Sequence, residues 1–227
     1  MIYVNGEAVG VATQFSAKEV TPDYVTSGLI ALFDGIKNTA DGHSDRPSAW
    51  KDLSGNDRDL VTDIANVFLS DSCFFNASGL PMTYTNNEMP TVKAVEIVLS
   101  NCGFTNSAMI AQFNRSKKGI YRKENSVMFN TGVNGFEVDL TTRKSIYYDF
   151  DNDKCYVNGV EVAHNTVTAS WSYSYSRDIL LADYNSTAND YKGEICCLRL
   201  YSQALTAEQR LHNYAIDKYR FGIEEAV

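Results

Sequence analysis

Glu137-Val138-Asp139 places two carboxyl side chains two residues apart. On a β-strand that spacing puts both on one face. A pair about 5–5.5 Å apart, flanking a glycosidic bond, could serve as proton donor and nucleophile. A solvated outer strand face explains the same pair without chemistry, and we read it so. Trp171, Tyr173 and Tyr175 alternate with serines, so a strand would present three rings on one side. Exposed, they form a stacking platform for a sugar; turned inward, they are ordinary core or edge packing. Asp149, Asp151 and Asp153 open like a calcium loop, but Lys154 stands where glycine is needed and no glutamate closes it. A hairpin turn fits better. Asp34 and Asp183 lie near predicted strand ends, where a structural calcium could be held. No metal site is assigned, and no cofactor is expected.

Other catalytic chemistry is poorly supported. His43 and His164 sit in polar, loop-like sequence, and His212 falls on a predicted helix. No Gly-x-Ser-x-Gly elbow occurs. Gly132-Val133-Asn134-Gly135 is a turn and lacks the lysine and helix of a phosphate loop. Five cysteines, Cys73, Cys102, Cys155, Cys196 and Cys197, include no Cys-x-x-Cys. They read as small core hydrophobes in a reducing compartment. Cys196 and Cys197 are neighbours on a predicted strand and should point to opposite faces.

The elements that must position these residues are mostly strands. The chain has 227 residues, 44% of them hydrophobic and only 21% charged, enough for one large all-β domain. A formal charge of −8 disfavours nucleic acid and anionic membranes as partners. The basic residues Arg115, Lys117, Lys118, Arg122 and Lys123 read as a solvated loop. No apolar run is long enough to cross a membrane as a helix. Residues 1–10 lack the basic and apolar regions of a secretory signal, so synthesis and folding in a cytoplasm are expected. The sequons at Asn76, Asn114 and Asn185 are then coincidental.

Residues 1–22 read as a separate hairpin or attachment arm, with Asn5-Gly6 as its turn. The main domain spans 23–227. Leu29–Phe33 is an apolar run that predicts a buried strand. Further strands are predicted at Val92–Leu99, Ser107–Phe113, Val127–Phe129, Phe136–Leu140 and Ser145–Phe150. Lys154–Val162, Asp178–Ala182 and Glu194–Tyr201 complete the set. In the last of these, Cys196, Leu198 and Leu200 should face the core, with Arg199 and Tyr201 opposite. One helix is predicted from Ala207 to about Arg220. Thr206 and Gln209 form its capping box and Gly222 its stop, and Leu211 and Tyr214 need a place to bury.

Three segments resemble the bacterial and phage branch of the laminin-G-like, concanavalin-like jelly roll. Gly28–Gly35 followed by Trp50-Lys51-Asp52-Leu53-Ser54-Gly55-Asn56 is similar to the opening of those domains. Tyr156-Val157-Asn158-Gly159 resembles their hairpin. Gly193–Tyr201 followed by Ala204-Leu205-Thr206-Ala207-Glu208-Gln209 resembles their final strand and helix, although Gln203 and Cys197 replace a common arginine and aspartate. The run Asn213–Ile223 looks like endings found in gut-phage and prophage particle proteins. The resemblance implies an all-β, two-sheet antiparallel jelly-roll sandwich with one C-terminal helix. Hydrolases of that group use an E-x-D-x-x-E strand; here Thr141 and Thr142 stand where the third acid should fall. The expected function is therefore a non-catalytic phage or prophage virion accessory protein: capsid decoration, head fibre or tail adhesion module. Its expected partners are other virion proteins or its own protomers, and host-surface glycans. A free-standing lectin-like module is the alternative, and a glycoside hydrolase the second.

Overall fold

Asn158 and Gly159 adopt φ 50° and 80°, the pair of positive values a two-residue type I′ hairpin requires. Such turns, repeated, lay strands antiparallel. In the computed structural model the described residues are 3–4, 7–8, 23–39, 41–61, 67–76, 81–86, 88–100, 108–115, 118–123, 126–129, 135–163, 177–182 and 191–224.

Two antiparallel sheets form the body. The first runs, in spatial order, β13 (Gly135–Glu137), β12 (Ser126–Phe129), β11 (Gly119–Lys123), β10 (Ala108–Phe113), β17 (Ile179–Leu181), β8 (Met82–Tyr84), β5 (Leu60–Val61) and β4 (Ala49–Trp50). The second runs β16 (Val160–Val162), β15 (Lys154–Val157), β14 (Lys144–Asp149), β9 (Ala94–Ser100), β18 (Lys192–Tyr201), β7 (Cys73–Asn76) and β6 (Val67–Phe68). The long β18 shares one edge between two partners: β7 pairs with Lys192–Ile195, and β3 (Leu29–Asp34) with Cys197–Tyr201. β1 (Tyr3–Val4) pairs antiparallel with β2 (Glu7–Ala8) in a further two-stranded sheet, with Val4 opposite Glu7.

The inward faces meet in one apolar core. Phe129 of the first sheet stacks on Tyr148 of the second, centroids 3.9 Å apart and planes at 6°. Trp50 lies buried between Phe33 and Phe68, at 5.8 and 5.1 Å, and its Nε1 donates to the Asp34 carbonyl at 3.0 Å. The turn after Trp50 fastens β3: the Asp52 carboxylate accepts backbone N–H bonds from Leu32, Ser54 and Arg58. Trp50 is therefore structural, as its place in the opening motif implied.

Three expectations need correction. Gly119–Lys123 is strand β11 inside the first sheet, and Arg122 is buried, so this basic stretch is not a solvated loop. Its alternation of Ile120 with Tyr121 carries it through the sheet. Second, Cys196 and Cys197 share a side. The register slips between Ile195 and Cys197, and this bulge places both thiols in the cluster with Phe221 and Ile223. Only Leu198 and Leu200 of the predicted inward trio reach the inter-sheet core.

The third correction concerns α1 (Ala207–Phe221). Its ends are as predicted: the Thr206 side chain accepts from the Gln209 N–H, Gln209 answers at the cap, and Gly222 closes the helix at φ 62°. Its buried face is so only in part: Tyr214 packs against the cluster of Cys196, Cys197 and Phe221. Leu211 is 53% and Tyr219 72% exposed, while Asn213, Asp217, Arg220 and Phe221 are buried. The helix docks on the second sheet through polar side chains as well as through Phe221, Tyr214 and Ile216, because the sheet offers charged partners there beside an apolar cluster.

Candidate functional site

Those partners come from the outward face of the second sheet. Leu198 and Leu200 face inward, so Arg199 and Tyr201 face α1. Arg199 donates to Glu96 at 2.8 Å and to both Asp217 oxygens at 2.8 and 2.6 Å. Tyr24 and Ser145 each donate to Asp217 at 2.9 Å, and Asn213 donates to Glu96 at 2.6 Å. Arg220 pairs with Asp34 at 2.5 Å. Burial drives the Glu96 carboxyl above its ordinary range, against the pull of Arg199. This junction is sealed. At its rim, Tyr147, Tyr156, Arg210 and Tyr214 border a notch of about 10 Å³, room for one water. It fastens the helix and offers no access to a substrate.

An accessible arrangement lies farther along the same face. Cys73 and Phe75 of β7 enter the core, so Phe74 points out and is 37% exposed. Register places Glu194 of β18 opposite Phe74, and Ser100 of β9 opposite Glu194. Residues opposite one another share a face. Phe74, Glu194 and Ser100 thus form one row across three strands, with Val67 opposite Phe74 at the edge. Arg143, just before β14, closes the row. Its guanidinium donates to Asp71 at 2.6 and 2.9 Å, to Glu194 at 3.2 Å and to the Phe221 carbonyl at 3.1 Å. Ser72 and Ser100 hydroxyls donate to the same Glu194 oxygen, Oε2, at 3.4 Å. Partial burial opposes the charge on Arg143, but hydrogen bonding to Asp71 and the nearby acids outweigh it and hold the guanidinium firmly protonated.

The row combines an exposed ring with planar donors and acceptors locked by one another. Side chains held in this way lose little freedom when a ligand binds.

The residues singled out in the sequence fall elsewhere. Glu137 ends β13 and Asp139 lies two residues on, both exposed. The Thr141 backbone N–H and hydroxyl donate to Asp139 at 2.9 and 2.7 Å and hold its carboxyl below the usual range. A proton donor for glycoside cleavage needs the opposite shift. Asp149 accepts from the Asp151 and Asn152 backbone N–H groups and from the Asn152 side chain, the geometry of a hairpin turn. Asp153 accepts from the Tyr148 hydroxyl. Asp34 is spent on Arg220 and on the Ile36 and Lys37 N–H groups. His43 contacts the Gly35 carbonyl at 3.0 Å and His212 the Asp23 carbonyl at 2.7 Å. Trp171, Tyr173, Tyr175, His164, Asp183 and Cys102 lie outside the described residues.

Sequence reasoning missed the row because its members, at 71–74, 100, 143 and 194, share no local spacing. One signal was present: Phe74 has apolar neighbours on both sides, and a continuous apolar run on a strand leaves every second side chain outside the core.

Residues 124–209 match the family profile described as the Concanavalin A-like lectin/glucanases superfamily. The matched stretch takes in the Asn158-Gly159 hairpin and β18. The fold is a concanavalin-like jelly roll. Solved structures agree with that sandwich. Trypanosoma rangeli sialidase in complex with the inhibitor DANA superposes with a TM-score of 0.59 at 11% identity, over 83% of this chain and 33% of that one. The binding domain of Paraclostridial Mosquitocidal Protein 1 gives 0.57 at 12%, over 82% and 52%. The Botulinum Neurotoxin Type G Receptor Binding Domain gives 0.57 at 14%, over 84% and 52%. The chain thus spans about a third of the sialidase and about half of each toxin domain. No curated protein sequence matches it significantly. Among the described residues, no helix of this concanavalin-like sandwich is long and apolar enough to cross a membrane.

Proposed function

We propose that this chain is a non-catalytic, glycan-recognising module displayed on a phage or prophage particle. The observation that carries the non-catalytic part is the state of Asp139. Open to water and held deprotonated by Thr141, it is suited to ending a turn and not to giving a proton. Recognition of a glycan is supported by the likeness in fold to a sialidase and to a toxin receptor-binding domain. The particle is supported by the resemblance of the Asn213–Ile223 run to particle-protein endings.

Two experiments test the proposal. Purified protein on a glycan array is expected to bind without releasing reducing sugar from any bound polysaccharide. Cleavage that disappears in Glu137→Gln or Asp139→Asn would restore the hydrolase reading. Mass spectrometry of purified particles is expected to find the chain, and its absence from every particle preparation would sink the virion assignment.

A further inference from the structure

The row on the outward face of the second sheet has a use that fastening the helix does not exhaust. Within the row, Arg143 reaches the helix end through the Phe221 carbonyl. Phe74 takes no part in that, yet it stands 37% exposed beside Glu194. We propose that Phe74, Glu194 and Arg143 form a binding site for a neutral pyranose bearing adjacent hydroxyls; this rests on the glycan-recognition reading above.

The chemistry is that of a sugar with two kinds of surface. One pyranose face carries C–H groups, which an exposed aromatic ring covers well. The ring's edge carries hydroxyls, each both a donor and an acceptor. Glu194 Oε2 is taken by Ser72, Ser100 and Arg143, and Oε1 has no partner among the described residues. Arg143 directs both terminal nitrogens at protein oxygens, leaving Nε clear among the described residues. One hydroxyl can donate to Oε1 while its neighbour accepts from Nε. Both protein groups are fixed before the ligand arrives, so little ordering is needed.

Charge narrows the ligand. Asp71 and Glu194 against one guanidinium give these three side chains a net negative charge, on a chain whose formal charge is −8. Arg143 is already paired with two carboxylates and has no fork left for a third. A carboxylated sugar such as sialic acid is therefore repelled, and a neutral hexose is favoured.

The test uses the full chain on an array of neutral and sialylated oligosaccharides. Wild type should bind neutral glycans only. Phe74→Ala should weaken binding about tenfold, Phe74→Tyr should retain it, and Glu194→Gln should weaken it, all with melting curves close to wild type. The pair Trp171→Ala and Tyr175→Ala should bind as wild type. Neutral-glycan binding that survives Phe74→Ala and vanishes in the Trp171/Tyr175 pair would overturn this site and leave glycan recognition standing. Binding confined to sialylated glycans would overturn the ligand class. No binding by wild type would overturn the glycan-recognition reading itself.

Discussion

Asp217→Asn tests how α1 is held. The wild-type carboxylate receives four hydrogen bonds: two from Arg199 at 2.8 and 2.6 Å, and one each from Tyr24 and Ser145 at 2.9 Å. Arg199 and Asp217 side chains are both 0% exposed. An amide of the same shape offers one oxygen and turns an NH₂ toward groups that are themselves donors. Removing one member of a buried pair costs about 3–5 kcal/mol, because the other charge stays buried. Arg199 keeps Glu96 at 2.8 Å, so the lower end, about 3 kcal/mol, is expected. For a chain of this length that lowers Tm by roughly 6–12 °C. Urea titration monitored by tryptophan fluorescence and by circular dichroism would measure it. Leu211→Ala, at an exposed position, should change stability by no more than about 0.5 kcal/mol. If Leu211→Ala costs more than Asp217→Asn, the helix docks through its apolar stripe and not through Asp217.

Two further outcomes follow from the same burial. Burial raises the Glu96 carboxyl pKa in the folded state, with Arg199 opposing and Asp217 assisting. The folded chain thus holds that proton more tightly than the unfolded one. Ionising Glu96 therefore costs stability as pH rises from the ordinary carboxylate range, about pH 4, through its raised folded value, and the cost is constant above. The stability of Glu96→Gln relative to wild type should increase over that rise; a difference independent of pH would contradict the assignment. Cys73, Cys155, Cys196 and Cys197 are buried, and desolvation pushes each thiol pKa up. Ellman's reagent should leave these four unmodified in the native protein and label them after unfolding. Rapid native labelling of any of them, located by peptide mapping, would contradict the burial.

The sequence by itself determined the features that depend on neighbours along the chain. Asn158-Gly159 specifies its hairpin because both residues tolerate positive φ. Thr206, Gln209 and Gly222 specify the ends of α1 because caps act within one turn. Leu29–Phe33 announces a buried strand by its continuous apolar run. The β11 strand was hidden by its charges, which burial beside partner strands accommodates. Only the tertiary structure decided which faces were used. One extra residue at the Cys196 bulge reverses the phase of β18, and nothing local marks it. The helix buries Asn213, Asp217 and Arg220 because Glu96 and Asp34 arrive from strands far away in sequence and Arg199 from the strand just before it. The accessible row was likewise invisible: Phe74, Glu194 and Arg143 meet only when antiparallel register sets distant strands side by side. A periodic pattern reports what one element can bury, and the partner supplied by the fold chooses between its faces.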